Sequence, residues 1–280
     1  MSNSTTKQVG VIGLGIIGSR VAANVAKAGH EVYVWSRSPH AVPNFLSSPR
    51  EVAETTTILQ IFVRDDAALL AAMNDMQPAL TPRHIVMNHA TVSPQATLKA
   101  AEIATRQGAG FLDAPFTGSK MAAQNAKIVY YIGGDETLLD QVRDILSASG
   151  TQVMHVGKIG DATVLKIATN AITAVTVKGV AEALAITRAQ GIEPQKLLEA
   201  LQPNANYAPL IGMKLPAMIQ QDFEAHFSLR NMLKDADFAR DLAAKAGLSV
   251  PAIDAMANAM RSQLDAGHGD KDFSVIGLQP

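Results

Sequence analysis

The chain has 280 residues, 48% of them hydrophobic and 18% charged, with 24 Lys+Arg against 25 Asp+Glu and no cysteine. That balance favours neither nucleic acid nor an anionic membrane as a partner, and the missing thiols exclude disulfides, thiolate metal sites and cysteine nucleophiles together. At about 150 residues per domain, the length points to two domains.

The N-terminal MSNSTTK is polar, and the apolar run after it is broken by glycines and too short to cross a bilayer, so a cytoplasmic protein is expected. Up to about residue 156, QVGVIGL, EVYVW, TILQIFV, HIVMNH, AGFLDA, KIVYYIG and TQVMHVG read as strands alternating with helical patterns. Such alternation predicts a mostly parallel sheet with helices on both faces. From Gly160 the strand signals stop. DATVLKIATNAITAVTVKGVAEALAITRAQG reads as one long helix closing at Gly191, with polar residues too frequent for a membrane span. Further helices are expected over roughly 194–201, 208–220, 227–246 and 251–266, each opened or closed by Pro or Gly.

In GVIGLGIIGSRVAANVAKAGHEVYVW, Gly13, Gly15 and Gly18 form G-x-G-x-x-G between an expected strand and an expected helix. The first glycine permits a tight turn, the second lets backbone approach a pyrophosphate, and the third packs helix on strand. The helix N-terminus then offers amide donors to the anion. Taken alone the pattern could be a mere tight turn; with its context on both sides it predicts a dinucleotide site over Gly13, Leu14, Gly15, Ile16, Ile17 and Gly18. The predicted architecture is therefore α/β plus all-α: a Rossmann-like doubly wound domain over 1–160, then a helical domain over 161–280 that begins with a long interdomain helix.

NAD binders usually carry Asp or Glu about 20 residues past the glycines, at the end of the second strand. Here the strand runs into Ser36, Arg37 and Ser38, while Glu31 sits at the strand's start. A guanidinium flanked by hydroxyls suits a 2′-phosphate, so NADP(H) is the expected cofactor; the bland alternative for Arg37 is a solvated loop residue.

In VLKIATN, Lys166 interrupts an apolar stretch, and Asn170 follows four residues later on the same helix face. A buried ammonium is costly unless paired or bonded. Held by an amide carbonyl beside a nicotinamide, it could protonate a carbonyl oxygen as hydride arrives. A snorkelling or ion-paired lysine is the simpler reading of such a residue in isolation. Its place just after a dinucleotide domain, where clefts between domains take small molecules, favours the catalytic one.

GVIGLGIIGSRVAANVAKAGH, DAPFTGSK, KIATN, LKDADFARDLA and DFSVI together resemble the β-hydroxyacid dehydrogenases of the 3-hydroxyisobutyrate and phosphogluconate dehydrogenase superfamily, in order and over nearly the whole chain. The resemblance implies reversible NAD(P)-dependent reduction of a short carbonyl acid, with Lys166 as general acid and Asn170 as its orienting partner. It places a substrate carboxylate on Thr117, Gly118 and Ser119, and Thr91 near both nicotinamide and substrate. It assigns Val63 and Arg64 to the cofactor, Phe227 and Asp235 to the substrate, and Lys234 to the cofactor. For Phe227 a core aromatic, and for Thr91 a turn hydroxyl, are the structural alternatives. The tail GSK is similar to the NADPH-preferring glyoxylate and succinic semialdehyde reductase branch, in agreement with Arg37. His89 and Ala90 before Thr91, Met121 after Lys120, and Arg64 depart from the usual pattern and leave the substrate unnamed.

Seven histidines are scattered without ligand spacing, so no metal site is expected. Three alternatives stay open: an imine reductase, which usually has Asp or Tyr where Lys166 stands; an NAD-linked 3-hydroxyisobutyrate-type dehydrogenase, disfavoured by Arg37; and a non-catalytic cofactor-binding regulator, disfavoured by Lys166 and Asn170. The apolar surface of the long helix predicts a homodimer or homotetramer formed through the helical domains.

Overall fold

The computed structural model describes residues 6–278. The polar N-terminal stretch lies, through residue 5, outside the described residues. The first unit alternates strands and helices: β1 (Gln8–Ile12), α1 (Gly18–Lys27), β2 (Glu31–Trp35), α2 (Pro49–Thr55), β3 (Ile58–Ile61), α3 (Asp66–Met76), β4 (Ile85–Asn88), α4 (Pro94–Thr105), β5 (Gly110–Asp113), β6 (Phe116–Thr117), α5 (Lys120–Gln124), β7 (Ile128–Gly133), α6 (Glu136–Ser147) and β8 (Gly150–Gly157). The sheet order is β2-β1-β3-β4-β5-β7-β6, with β8 on β7. Strands β1 to β5 are parallel, β7 runs antiparallel to β5, and β8 parallels β7. The two-residue β6, which pairs with β7, has no signal in the sequence.

β3 and β4 are buried at every position and are apolar apart from Gln60 and Asn88, as befits sheet interiors covered on both faces. β2 instead alternates, with Val32 and Val34 buried. Val9, Val11, Val21, Val25 and Tyr130 fill one face of the sheet; Leu59, Ile61, Leu69, Met73 and Phe111 fill the other. Helix starts are written locally. Ser48, Asp65, Ser93 and Asp135 each accept a first-turn amide, and Pro follows Ser48 and Ser93 at the first helical position.

The chain divides into two compact units, one running to Lys166 and the other from Ile167, so the break falls inside α7 (Asp161–Ala189). The second unit adds α8 (Pro194–Leu201), α9 (Pro209–Gln220), α10 (Leu229–Lys245) and α11 (Pro251–Gln263), then a π turn over Leu264–His268 and a 3-10 turn over Phe273–Gly277. Val177, Leu184, Leu215, Met232, Leu233, Met256, Met260 and Phe273 form its core. By length and composition alone α7 is apolar enough to cross a bilayer, with mean hydropathy 1.3 over its most apolar stretch. This corrects the expectation that its polar residues are too frequent for that. The helix nonetheless gives Ala174, Val177, Val180, Ala181 and Leu184 to the protein core, a cheaper place for apolar side chains than water.

Candidate functional site

The turn after β1 carries the first part of the site. Gly13 has φ +102, and a Cβ there would sit 2.0 Å from the Phe62 carbonyl oxygen. A Cβ on Gly18 would meet the Gly13 carbonyl oxygen at 2.0 Å, so helix and turn pack too closely for any side chain. A Cβ on Gly15 would meet nothing within 4 Å. No side chain caps α1, and the Ser19 and Arg20 amides of its first turn donate to the Gly15 and Ile17 carbonyls at 3.2 and 2.9 Å, so an anion here meets the positive end of the helix and the Gly13–Gly18 turn before it. Leu14 and Ile17 pack partly buried against the core, and Ile16 is exposed. Two tight glycines around an open one, at an uncapped helix start, fit a dinucleotide pyrophosphate.

Ser36, Arg37 and Ser38 follow the end of β2. Ser36 Oγ donates to the Ser38 carbonyl at 2.5 Å. Arg37 is exposed and carries no ion-pair partner among the described residues. Glu31 lies at the opposite end of β2, where it accepts from Gln8 Nε2 at 3.1 Å. Val63 and Arg64 follow β3; Val63 is half-buried, and Arg64 is exposed and pairs with Asp65 at 3.1 Å. Thr91 follows β4, half-buried, two residues before the Ser93 cap of α4. Thr117 lies on β6, and Ser119 is the N-cap of α5, with Gly118 exposed between them. All these segments follow the carboxyl ends of β1 to β5, and β1 and β3 flank the point where the strand order reverses. Ligands of open α/β sheets bind at that edge.

Asp113 ends β5 and is fully buried. Its Oδ2 accepts from the Gly160 amide at 3.0 Å and the Thr163 amide at 2.9 Å, and its Oδ1 from the Thr163 hydroxyl at 2.7 Å. A carboxylate brought from the sheet thus caps α7 one turn before Lys166. Burial pushes its carboxyl up to about 6, against the pull of the Thr163 and Gly160 donors. On the neighbouring strand end, His89 is buried and stacks on Phe62 at 4.5 Å between ring centroids. Its Nδ1 must carry the proton, because it meets the Ala114 carbonyl oxygen at 2.7 Å and a carbonyl cannot donate. Burial pushes the imidazole down to about 4, so it is neutral at pH 7.

Lys166 and Asn170 are both buried on α7, one turn apart. Asn170 Nδ2 donates to Asp235 Oδ2 at 2.6 Å. The contact identifies the nitrogen, since an ionised carboxylate only accepts. The side chain's other polar atom is then Oδ1, an acceptor suited to an ammonium. Asp235 is fully buried on α10, and its Oδ1 lies 3.2 Å from Lys234 Nζ. Lys234 Nζ also stands 5.2 Å over the Phe238 ring. Phe227 is half-buried, edge-on to Phe273 at 6.2 Å, so its ring is partly committed to the second core. The sequence reading assigned no role to Asp113, Thr163 or the Asp235–Asn170 bond; DAPFTGSK contains Asp113, but its partners lie 47 and 50 residues away. Among the described residues no group of three or more His, Asp or Glu side chains is placed to hold a metal ion.

Residues 8–157 match the family model described as the NAD-binding domain of 6-phosphogluconate dehydrogenase, and residues 160–277 match that described as the NAD-binding domain of NADP-dependent 3-hydroxyisobutyrate dehydrogenase. The chain is 26% identical to glyoxylate/succinic semialdehyde reductase 2, chloroplastic, of Arabidopsis thaliana, over 97% of this chain and 78% of the relative. It is 27% identical to the NAD-dependent L-serine dehydrogenase of Pseudomonas aeruginosa, over 96% of each. A solved structure of Mycobacterium tuberculosis 3-hydroxyisobutyrate dehydrogenase with L-serine superposes with TM-score 0.88, at 24% identity over 98% of both chains. With both units matched in order and the dinucleotide turn and the Lys166–Asn170 helix in place, the chain belongs to the β-hydroxyacid dehydrogenase family and is an NAD(P)-dependent oxidoreductase.

Proposed function

We propose that this enzyme reduces a short carbonyl acid, glyoxylate or a semialdehyde, to the hydroxy acid, with NADPH as the preferred cofactor. The observation that carries the reading is the Asp113 cap. It ties the start of the Lys166 helix to the same β5–β6 segment that bears Thr117, Gly118 and Ser119. A proton donor and a carboxylate cradle are thereby set on one rigid support, which is what oriented proton transfer requires.

When bound, NADPH supplies the hydride. The open turn at Gly15 would hold the pyrophosphate at the start of α1, and Arg37 with Ser36 and Ser38 would take the 2′-phosphate. The Thr117 hydroxyl and the Gly118 and Ser119 amides hold the substrate carboxylate, with Thr91 beside them. Lys166 Nζ delivers a proton to the carbonyl oxygen as negative charge develops there. Asn170 Oδ1 accepts from that ammonium, its amide kept in one orientation by Asp235. Arg37 in place of a carboxylate supports NADPH over NADH, and the Arabidopsis relative's name supports the substrate class.

Oxidation of NADPH at neutral pH with glyoxylate, succinic semialdehyde, tartronate semialdehyde and a cyclic imine, with NADH as control, tests this for the wild type and Lys166→Ala. A carbonyl acid should be reduced, and the rate should collapse by about a thousandfold in the variant with NADPH binding retained. Turnover of the imine alone would refute the proposal. We infer also a homodimer: Leu165, Ile172 and Ile186, spaced seven and then fourteen residues apart, are exposed on α7, 43%, 69% and 65% open to solvent, a face suited to a second copy. Light scattering that gives a monomer at micromolar concentration would end that idea.

A further inference from the structure

The C-terminal DFSVI stretch enters none of the steps above, yet it holds a buried carboxylate bonded on both oxygens. Asp272 is 2% exposed, and Lys214 of α9, 6% exposed, donates to both of its oxygens at 2.7 and 2.9 Å. The Ser274 amide and hydroxyl donate to Oδ1 at 3.0 and 2.7 Å. The amides of His226 and Phe227 both donate to Oδ2 at 3.1 Å. Two successive backbone amides on one carboxylate oxygen fix the direction of the chain at that point, which apolar packing does not.

The flanking backbone extends the grip. Phe273 N donates to Phe227 O at 3.0 Å, Leu229 N to Lys271 O at 2.8 Å, and Ser228 forms an antiparallel bridge with Asp272. Ser228 is itself the N-cap of α10, the helix that presents Lys234 and Asp235. Lys214 Nζ also stands 4.5 Å over the Phe273 ring, against which Phe227 packs edge-on. Burial alone would raise the Asp272 carboxyl, but the Lys214 ammonium and the Ser274 donors outweigh it and hold it below the usual carboxylate range. A buried ion pair adds little net stability compared with an apolar pair of the same volume. What this one supplies is placement.

We propose that Asp272, anchored by Lys214, is a positioning residue: it fixes the backbone of Phe227 and the start of α10, and through them the aromatic ring, which the family resemblance assigns to the substrate, and the Asp235–Asn170 bond that orients the proton donor's partner. The proposal rests on the functional reading above for its kinetic consequence, while its structural claim stands apart from it.

The test compares wild type, Asp272→Asn, Phe227→Ala and their double variant by kinetics, with backbone amide hydrogen exchange followed across the second unit. Asp272→Asn should raise KM for the carbonyl acid by about tenfold to a hundredfold, the scale of a misplaced binding group. The substitution should add less than about twofold in the Phe227→Ala background, since both then lose the same contact. Exchange at 226–229 should quicken by about tenfold or more while α11 keeps its protection. Asp272→Asn leaves a buried ammonium without its counter-charge and could unfold the unit; the paired Lys214→Met, Asp272→Leu variant restores an apolar core but still leaves the two amides without an acceptor, and should show the same local quickening. Wild-type KM in a folded variant, full additivity with Phe227→Ala, or quickening spread evenly through α11 would each overturn the proposal. If the wild type reduces no carbonyl acid, the functional reading fails, and the exchange pattern still decides whether Asp272 places Phe227.

Discussion

Two proton linkages of opposite sign meet at the carboxyl edge of the sheet, and replacing Asp113 by Asn should separate them. Burial raises the Asp113 carboxyl from 3.8 to about 6. A folded-state value above the unfolded one means that the native protein holds the proton more tightly, so this group's contribution is complete below about pH 4 and is lost as pH rises through 6. Roughly 2 units at 1.36 kcal/mol each make that loss about 3 kcal/mol. His89 does the reverse. Its imidazole falls from 6.5 to about 4, so its contribution is complete above about pH 6.5 and is lost as pH falls toward 4, again by about 3 kcal/mol. In the wild type the two slopes nearly cancel between pH 4 and 6.5. Urea unfolding at half-unit pH steps should therefore show Asp113→Asn gaining about 3 kcal/mol relative to wild type as pH rises from 4 to 7, and His89→Asn losing about as much over the same range. The double variant should be nearly as flat as the wild type. A stability difference between wild type and Asp113→Asn that stays constant across this window would refute the reasoning, because the three donors on the carboxylate would then offset its burial in full.

The other expectations concern cofactor and catalytic groups. Arg37→Ala should weaken NADPH binding by about tenfold to a hundredfold and leave NADH unchanged, as loss of a charge-assisted phosphate contact does; equal weakening of both cofactors, measured by fluorescence titration, would place Arg37 elsewhere. Gly18→Ala puts a Cβ 2.0 Å from the Gly13 carbonyl oxygen, so it should weaken both cofactors alike and lower the melting temperature. Asp235→Ala strands the buried Asn170 Nδ2 and should cost about 1–3 kcal/mol in unfolding free energy. It should also lower kcat with little change in KM for NADPH. Unchanged kcat in a folded Asp235→Ala would show that Asn170 needs no orienting partner.

What the sequence recorded and what it hid differ in physical kind. The glycine turn and the helices expected near 194–201 and 208–220, observed at Pro194–Leu201 and Pro209–Gln220, rest on local constraints, satisfied by residues a few positions apart, and such constraints leave a pattern in the chain. The i,i+4 spacing of Lys166 and Asn170 on α7 is legible for the same reason. Bonds between buried polar side chains are not: Asp113 finds Thr163 at a separation of 50, Lys214 finds Asp272 at 58, and Asn170 finds Asp235 at 65. Composition marks each of these residues only as polar, and nothing in its neighbours says which distant group will satisfy it. β6 escaped notice on other grounds, because two residues, Phe116 and Thr117, carry no period. The division has a functional consequence. Motif spacing marks the residues expected to meet a ligand, since a ligand imposes local geometry. The partners that hold buried polar residues in place answer to the folded core, and a buried carboxylate must be paired or bonded wherever the fold delivers it. Asp113, Asp235 and Asp272 are all such carboxylates: each stands inside a motif, DAPFTGSK, LKDADFARDLA or DFSVI, yet is bonded to distant groups that the motif does not name.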